Sequence, residues 1–151
     1  MRVYLDTSAL VKCYMTERNS PEVLDLAGRA EIVASSLLSR TEVAAALAKA
    51  VRLGVLRPQS GQDAHRAFLR DWADVSRIPV TEALVARADT LAWDYALRAY
   101  DAIQLASALT WQESLGRPVT LATFDHELWE AGRKAGMHVW PAKLARQGQP
   151  Q

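Results

Sequence analysis

The segment RVYLDTSAL, residues 2–10, gives the clearest indication of the architecture of this 151-residue chain. A short run that favours a β-strand, Arg2 to Leu5, is followed at once by Asp6 and by the start of a helix-like segment. A strand that passes directly into a helix is typical of α/β proteins with a parallel sheet. Because the strand-to-helix connections of such a sheet open at one edge, Asp6 predicts a polar site at that edge.

The same alternation of apolar runs and helix-like segments continues along the chain. Further strands are expected at residues 32–34, 78–80, 119–123 and 138–140. Pro79 suits an edge strand or the end of a strand, so the strand at 78–80 is expected at the edge of the sheet. The alanine-rich segment 37–53 favours a helix that ends at Gly54. The pattern predicts one α/β domain rather than a repeat or a string of modules.

The composition is that of an ordinary globular protein, with 50% hydrophobic and 23% charged residues. We expect one domain over residues 1–146 and a mobile tail, 147–151, which lacks apolar side chains. Cys13 is the single cysteine, so no intrachain disulfide can form and a reducing cytoplasm is expected. No signal peptide is recognisable, and no segment is long and apolar enough to cross a membrane.

Four carboxylates share one kind of position, because each stands where an apolar run ends and a helix-like segment begins: Asp6, Glu42, Asp101 and Asp125. In a parallel sheet such residues converge on one crevice even when they are far apart in sequence. Several carboxylates in one crevice need a cation, and ligation by oxygen alone is preferred by Mg²⁺ or Mn²⁺. The pattern therefore predicts a carboxylate metal site with one or two ions.

Helix capping is the alternative explanation for each acid taken singly. Carboxylate oxygens are good caps, and Ser39 with Glu42 matches the capping box. Three of the four junctions, however, also carry a hydroxyl that can cap in place of the acid: Ser8, Ser39 and Thr123. On this interpretation the acids are not needed as caps and are free to bind a metal.

Asp101 stands before a segment, 100–111, that is apolar nearly all round apart from Gln104 and Ser107. A buried charge without a partner is costly, so a cation is expected against Asp101. Arg98, one helical turn earlier, is an alternative to a metal in that role.

Taken together, these segments resemble the PIN-domain ribonucleases, and within them the VapC-type toxins of bacterial and archaeal toxin–antitoxin pairs. The resemblance rests on four features in order: DTSAL at 6–10, Glu42 at the start of the second major helix, YDAIQLASA at 100–108 and LATFD at 121–125. It extends from residue 2 to about residue 141.

This resemblance implies a three-layer α/β fold with a central parallel sheet of about five short strands flanked by helices. It implies a Mg²⁺- or Mn²⁺-dependent endoribonuclease that hydrolyses phosphodiester bonds in single-stranded RNA. It also implies a homodimer and a small antitoxin whose tail occupies the acidic groove. The family's catalytic and metal-binding acids match Asp6, Glu42, Asp101 and Asp125, and its supporting hydroxyls match Ser8 and Thr123. Glu42 is expected to reach the metal directly or through water.

The distribution of charge suits an RNA substrate. With the four acids set aside as a metal-neutralised cluster, 13 acidic residues remain against 18 basic ones, and a positive surface attracts a phosphate-bearing polymer. The segment 40–70 is rich in arginine and lysine, and Lys49 lies two helical turns from Glu42. We therefore expect Arg40, Lys49 and Arg52 to contact RNA, although an ordinary solvated helix face is the alternative.

Other classes of protein also place acids at the edge of a parallel sheet. A haloacid-dehalogenase-like phosphatase needs a second acid two residues after the first, where this chain has Ser8. A receiver domain needs a lysine at the end of its last strand, where this chain has Trp140 and Pro141. Two alternatives stay open: an RNA-processing PIN nuclease without an antitoxin, and a non-catalytic acidic groove that binds a basic peptide tail.

Overall fold

A five-stranded parallel sheet forms the middle layer of the computed structural model, which describes residues 1–146. The strands are β1 (Arg2–Leu5), β2 (Ile32–Ser36), β3 (Ser76–Ile78), β4 (Thr120–Ala122) and β5 (His138–Trp140). All four neighbouring pairs are parallel, as the sequence predicted. The predicted tail, 147–151, lies outside the described residues.

Helices cover both faces of the sheet. They are α1 (Thr7–Leu10), α2 (Ser20–Arg29), α3 (Ser39–Arg52), α4 (Pro58–Asp71), α5 (Glu82–Tyr95), α6 (Ala99–Leu115) and α7 (His126–Lys134). Short 3₁₀ turns follow α1 at Val11–Cys13 and α4 at Trp72–Asp74. None of the helices within residues 1–146 is long and apolar enough to cross a membrane.

Two hydrophobic cores lie on opposite faces of the sheet, because side chains alternate along a strand. Tyr4 of β1 belongs to the core that packs against α5, α6 and α7. Its neighbours Val3 and Leu5 belong to the core that packs against α1 to α4. This alternation produces the three layers that the family resemblance implied.

The strand order is β3-β2-β1-β4-β5, which places the reversal of the chain path between β1 and β4. The chain runs outward from β1 through β2 to β3 and then returns to add β4 on the other side of β1. Open α/β sheets bind ligands at the carboxyl ends of the strands that flank such a reversal. Asp6 directly follows β1 at this point, and Thr123 directly follows β4.

Most element boundaries agree with the sequence pattern. Helix α3, Ser39–Arg52, lies within the predicted segment 37–53, and Gly54 just beyond it has a φ of 72°, a left-handed conformation that glycine adopts without strain. The predicted strand at 78–80 is wrong by two residues: β3 is an edge strand, but it ends at Ile78, before Pro79. Proline has no N–H to donate to the neighbouring strand, so pairing stops in front of it.

Candidate active site

Asp6 lies at the chain reversal between β1 and β4 and is only 4% exposed. Its Oδ1 accepts hydrogen bonds from Ser8 Oγ at 2.7 Å and from the Ala9 N–H at 3.0 Å. Its Oδ2 accepts from Thr123 Oγ1 at 3.0 Å. Burial raises the pKa of Asp6 from 3.8 to about 7, and these three hydrogen bonds offset the rise only in part. The carboxylate is well oriented, but none of these direct partners is a cation.

The two hydroxyls beside Asp6 also hold the chain that follows β4. Ser8 Oγ accepts from the Phe124 N–H at 2.8 Å, and Thr123 Oγ1 accepts from the Asp125 N–H at 3.0 Å. The loops after β1 and β4 are thereby joined around Asp6. Asp125 then begins α7, and its Oδ1 accepts from the Leu128 N–H at 2.9 Å.

Arg98 lies between the other two aspartates of the site. Its Nη2 is 3.2 Å from Asp125 Oδ2, and its Nε is 3.4 Å from Asp101 Oδ2. Burial and the nearby Asp125 carboxylate raise the pKa of Asp101 from 3.8 to about 6, and Arg98 opposes that rise. In the structure the cation against Asp101 is Arg98, the alternative to a metal ion that the sequence offered, and its side chain is 75% exposed.

Glu42 reaches the site from α3 through a buried polar network. Its Oε1 accepts from Thr7 Oγ1 at 3.0 Å and from Gln104 Nε2 at 2.9 Å. Gln104 is 2% exposed, its Oε1 accepts from the Tyr4 hydroxyl at 2.6 Å, and its Nε2 is 3.0 Å from Ser39 Oγ. The network joins β1, α1, α3 and α6, so the position of Glu42 depends on how these elements pack.

The expectation that Ser8, Ser39 and Thr123 cap the helices in place of the acids is wrong at all three junctions, and at two of them the acid itself is the cap. Asp6 and Asp125 are themselves the caps of α1 and α7. Ser8 and Thr123 cap neither helix, and their hydroxyls instead donate hydrogen bonds to the Asp6 carboxylate. An aspartate has two oxygens, so Asp125 can cap with one while the other, Oδ2, meets Arg98.

The capping box at the start of α3 is also wrong. Ser39 lies inside the first turn of the helix, is fully buried and contacts Ser35 and Gln104. Glu42 turns toward Thr7 and Gln104 instead of back to the helix start. The hydrogen bonds of Glu42 to Thr7 of α1 and Gln104 of α6 therefore override the local capping preference.

Sequence reasoning overlooked three residues of this network, Tyr4, Thr7 and Gln104. Gln104 carried a signal, since it interrupts an otherwise apolar segment, and a buried amide needs partners. Thr7 carried none, because a threonine at a helix start is commonplace. Arg98 was recognised as a partner for Asp101 but not for Asp125.

The three basic residues predicted to contact RNA all lie on α3. Arg40, Lys49 and Arg52 are exposed, and none of them pairs with a carboxylate within residues 1–146. Lys49 and Glu42 are two turns apart on the same helix. Their contact with RNA stays a prediction.

The site has the ligand chemistry that Mg²⁺ and Mn²⁺ prefer, namely carboxylate and hydroxyl oxygens around one crevice. A continuous set of contacts links the four acids, from Glu42 through Thr7 to the Asp6 turn, and from Asp6 through Thr123 to Asp125 and Arg98. Among residues 1–146, no three acidic, histidine or cysteine side chains are grouped tightly enough to share an ion as they stand. Two of the four acids are instead paired with Arg98.

A family model for the PIN domain matches residues 3–134 of the chain. The chain belongs to the PIN-domain family. Ribonuclease VapC45 of Mycobacterium tuberculosis (strain CDC 1551 / Oshkosh) is 37% identical to this PIN domain over 143 residues, covering 94% of this chain and 96% of that protein. Ribonuclease VapC47 of the same strain is 33% identical over 141 residues, covering 89% and 92%. The resemblance to VapC-type PIN domains is thereby confirmed.

Solved structures agree with the fold. A toxin–antitoxin complex from Klebsiella pneumoniae contains a chain that superposes on this PIN domain with a TM-score of 0.60, covering 82% of this chain and 86% of that one. The two sequences are 20% identical, so the likeness concerns the fold alone.

Proposed function

We propose that this PIN domain is a divalent-metal-dependent endoribonuclease that hydrolyses phosphodiester bonds in single-stranded RNA, and that it is the toxin of a toxin–antitoxin pair. The observation that carries the proposal is the buried Asp6, held by Ser8 and Thr123 at the chain reversal beside Asp125. The chain is similar over nearly its whole length to proteins named Ribonuclease VapC, and this similarity supports RNA as the substrate.

Within this proposal, Asp6, Asp101 and Asp125 hold Mg²⁺ or Mn²⁺, and Glu42 completes the site directly or through water. A bound ion lowers the pKa of its water and stabilises negative charge at the phosphate undergoing attack. Ser8 and Thr123 keep both oxygens of Asp6 in a fixed orientation. Burial raises the pKa of Asp6 to about 7, and a cation bound beside it would favour the ionised form of the carboxylate.

The RNA backbone is proposed to approach along α3. Arg40, Lys49 and Arg52 are exposed on that helix, which also carries Glu42 near its start. Arginine and lysine attract phosphate, and the guanidinium fork can bind two phosphate oxygens at once. This path leads from positive charge to the carboxylate crevice.

An antitoxin is the proposed protein partner, with a basic tail that occupies the acidic crevice and blocks access to it. The likeness in fold to a toxin–antitoxin complex supports this partner.

A homodimer in the cytoplasm is proposed as well. Trp93 of α5 is 90% exposed, and Val85 of the same helix is also exposed, so α5 offers apolar surface to a second copy of the chain. Analytical ultracentrifugation of the wild type and Trp93→Glu tests the dimer, which the added charge should weaken.

The central experiment compares RNA cleavage by the wild type, Asp6→Asn and Asp101→Asn in buffers with Mg²⁺ or EDTA. We expect both substitutions to reduce cleavage at least about 100-fold, because each removes a carboxylate that is proposed to bind the metal ion beside the reacting phosphate. Asp89→Asn is the matched control, since Asp89 is an exposed residue of α5. Melting temperatures identify any variant that fails to fold. Full activity of Asp6→Asn or Asp101→Asn would contradict the metal assignment.

The toxin assignment has its own test. Co-expression with the adjacent open reading frame should yield a stable complex in which cleavage is suppressed. Cleavage without such a partner would favour an RNA-processing nuclease, and metal binding without cleavage would favour a non-catalytic groove.

A further inference from the structure

An open pocket of about 520 Å³ lies beside Asp125. Its volume is within the range of pockets that hold small molecules, roughly 300 to 1,000 Å³. The residues that line it are Arg98, Phe124, Asp125, His126, Glu127 and Arg146. The pocket therefore combines positive charge, two aromatic rings and one of the four acids of the site.

Contacts outside the pocket hold part of its wall in place. The Phe124 N–H is bound to Ser8, and the Phe124 ring packs edge-on against Trp140 at 5.7 Å between centroids. The ammonium group of Lys12 lies 4.7 Å from the centre of the same ring. Arg98 is held by its two ion pairs with aspartates. A wall that is formed before the ligand arrives reduces the entropic cost of binding.

The chemistry of the lining selects the ligand. Arg98 and Arg146 can meet an anionic group, while the rings of Phe124 and His126 offer flat surfaces on which a base can stack. The carboxylate of Asp125 is paired with Arg98 at 3.2 Å. In the proposed ribonuclease Asp125 holds the metal ion, which leaves Arg98 free to meet an incoming phosphate. Glu127 also lines the pocket and forms no ion pair within residues 1–146, and a base edge can donate hydrogen bonds to it.

We propose that this pocket is the subsite for the nucleotide next to the phosphodiester that is cleaved, with its phosphate on Arg98 and Arg146 and its base against Phe124 and His126. The proposal rests on the proposed ribonuclease function and adds a place at which the enzyme recognises RNA. Because the pocket touches Asp125, a nucleotide seated in it brings its own phosphodiester to the carboxylate crevice. Base preference at this one position then depends on the residues of the pocket.

The test measures binding and cleavage separately. Fluorescence anisotropy of a short labelled single-stranded RNA in EDTA reports binding without turnover, and cleavage is followed in Mg²⁺. Arg146→Gln removes one phosphate contact, so the slope of log affinity against log salt concentration should fall by about 0.7. Phe124→Leu and His126→Gln should weaken binding by about fivefold or more, since stacking contributes to affinity, but should leave the salt slope unchanged.

Arg117→Gln is the matched control, because Arg117 is an exposed arginine between α6 and β4. It lies at the amino ends of the strands, whereas the pocket lies at their carboxyl ends. It should match the wild type in affinity and cleavage. The subsite is overturned if the wild type cleaves RNA while the pocket variants bind RNA with the affinity and salt slope of Arg117→Gln. It is also overturned if those variants weaken binding of the antitoxin but not of RNA, which would make the pocket a peptide site. A wild type that neither binds nor cleaves RNA overturns the proposed function itself.

Discussion

Thr123 donates a hydrogen bond from Oγ1 to Oδ2 of Asp6 over 3.0 Å, and both groups are buried. The two residues follow strands that neighbour each other at the centre of the sheet, β4 and β1. The same Thr123 oxygen accepts from the Asp125 N–H, so one hydroxyl orients two of the four acids of the site.

Replacing Thr123 with valine should therefore lower both stability and activity. Valine has a similar shape but leaves Asp6 Oδ2 and the Asp125 N–H without this partner, and an unsatisfied buried group costs about 1 to 3 kcal/mol. Urea denaturation measures the loss of unfolding free energy, and RNA cleavage measures the loss of activity. Thr123→Ser keeps the hydroxyl and should stay close to the wild type. Equal stability of the valine and serine variants would show that the hydrogen bond contributes little.

The hydrogen bond between Tyr4 and Gln104 should be detectable as a coupling energy. Tyr4→Phe and Gln104→Leu each leave a buried polar group without its partner, at about 1 to 3 kcal/mol each. In the double variant both partners are gone, so its loss of unfolding free energy should be clearly smaller than the two single losses together. Urea denaturation of the four proteins measures this. Additive losses would mean that the two side chains do not act as a pair.

Arg98→Gln should increase the affinity of the crevice for Mn²⁺. In the wild type the guanidinium is paired with Asp101 and Asp125, and an ion that uses these carboxylates must compete with it. Exposed ion pairs are weak in water, so the gain should be no more than about fivefold. Electron paramagnetic resonance of free Mn²⁺ during a titration measures the affinity. Unchanged or weaker binding would indicate that Arg98 does not compete with the ion.

In EDTA, the wild type should lose stability relative to Asp6→Asn as the pH rises from 5 to 7.5. The pKa of Asp6 is about 7 in the folded protein against an ordinary value of 3.8, so the folded state keeps a proton that the unfolded state has released. Each increase in pH across this window therefore favours unfolding, by at most about 3 kcal/mol in total. Asparagine does not titrate and lacks this contribution. Denaturant midpoints at several pH values measure the difference, and parallel profiles of the two proteins would refute it.

Charge reversal of Lys49 and Arg52 to glutamate should weaken RNA binding and reduce its dependence on salt. Each phosphate contact that is lost lowers the salt slope by about 0.7 for a single strand. Fluorescence anisotropy over a range of salt concentrations measures both quantities. The control is Arg29→Glu, since Arg29 ends α2 just before β2 begins and therefore lies at the amino ends of the strands, away from the crevice. A salt slope equal to that of the control would remove the α3 residues from the RNA path.

The order of the residues was sufficient to predict the architecture and to recognise the family. Apolar runs followed by helix-like segments predict a parallel α/β sheet, because each pattern is local and spans only a few residues. Asp6, Glu42 and Asp125 follow strands, and parallel strands all end at one edge, so the pattern predicts that these three acids face that edge. Asp101 follows the turn between α5 and α6, and only the packing of α6 brings it there. The motifs around Asp6, Asp101 and Asp125 likewise lie within short stretches of chain, which is why the relation to VapC-type PIN domains could be recognised from sequence.

The partners of each side chain were decided only when the elements packed together. Gln104 of α6 meets Tyr4 of β1 and Glu42 of α3, and these contacts join residues 100 and 62 positions apart. Local rules offered a capping box as the alternative for Glu42 and made Asp6 and Asp125 dispensable as caps, and the structure has neither arrangement. Capping rules describe one helix at a time, whereas a buried polar group takes the partner that packing brings within hydrogen-bonding distance. The sequence therefore specified which acids reach the crevice, and tertiary packing specified which residues hold them there.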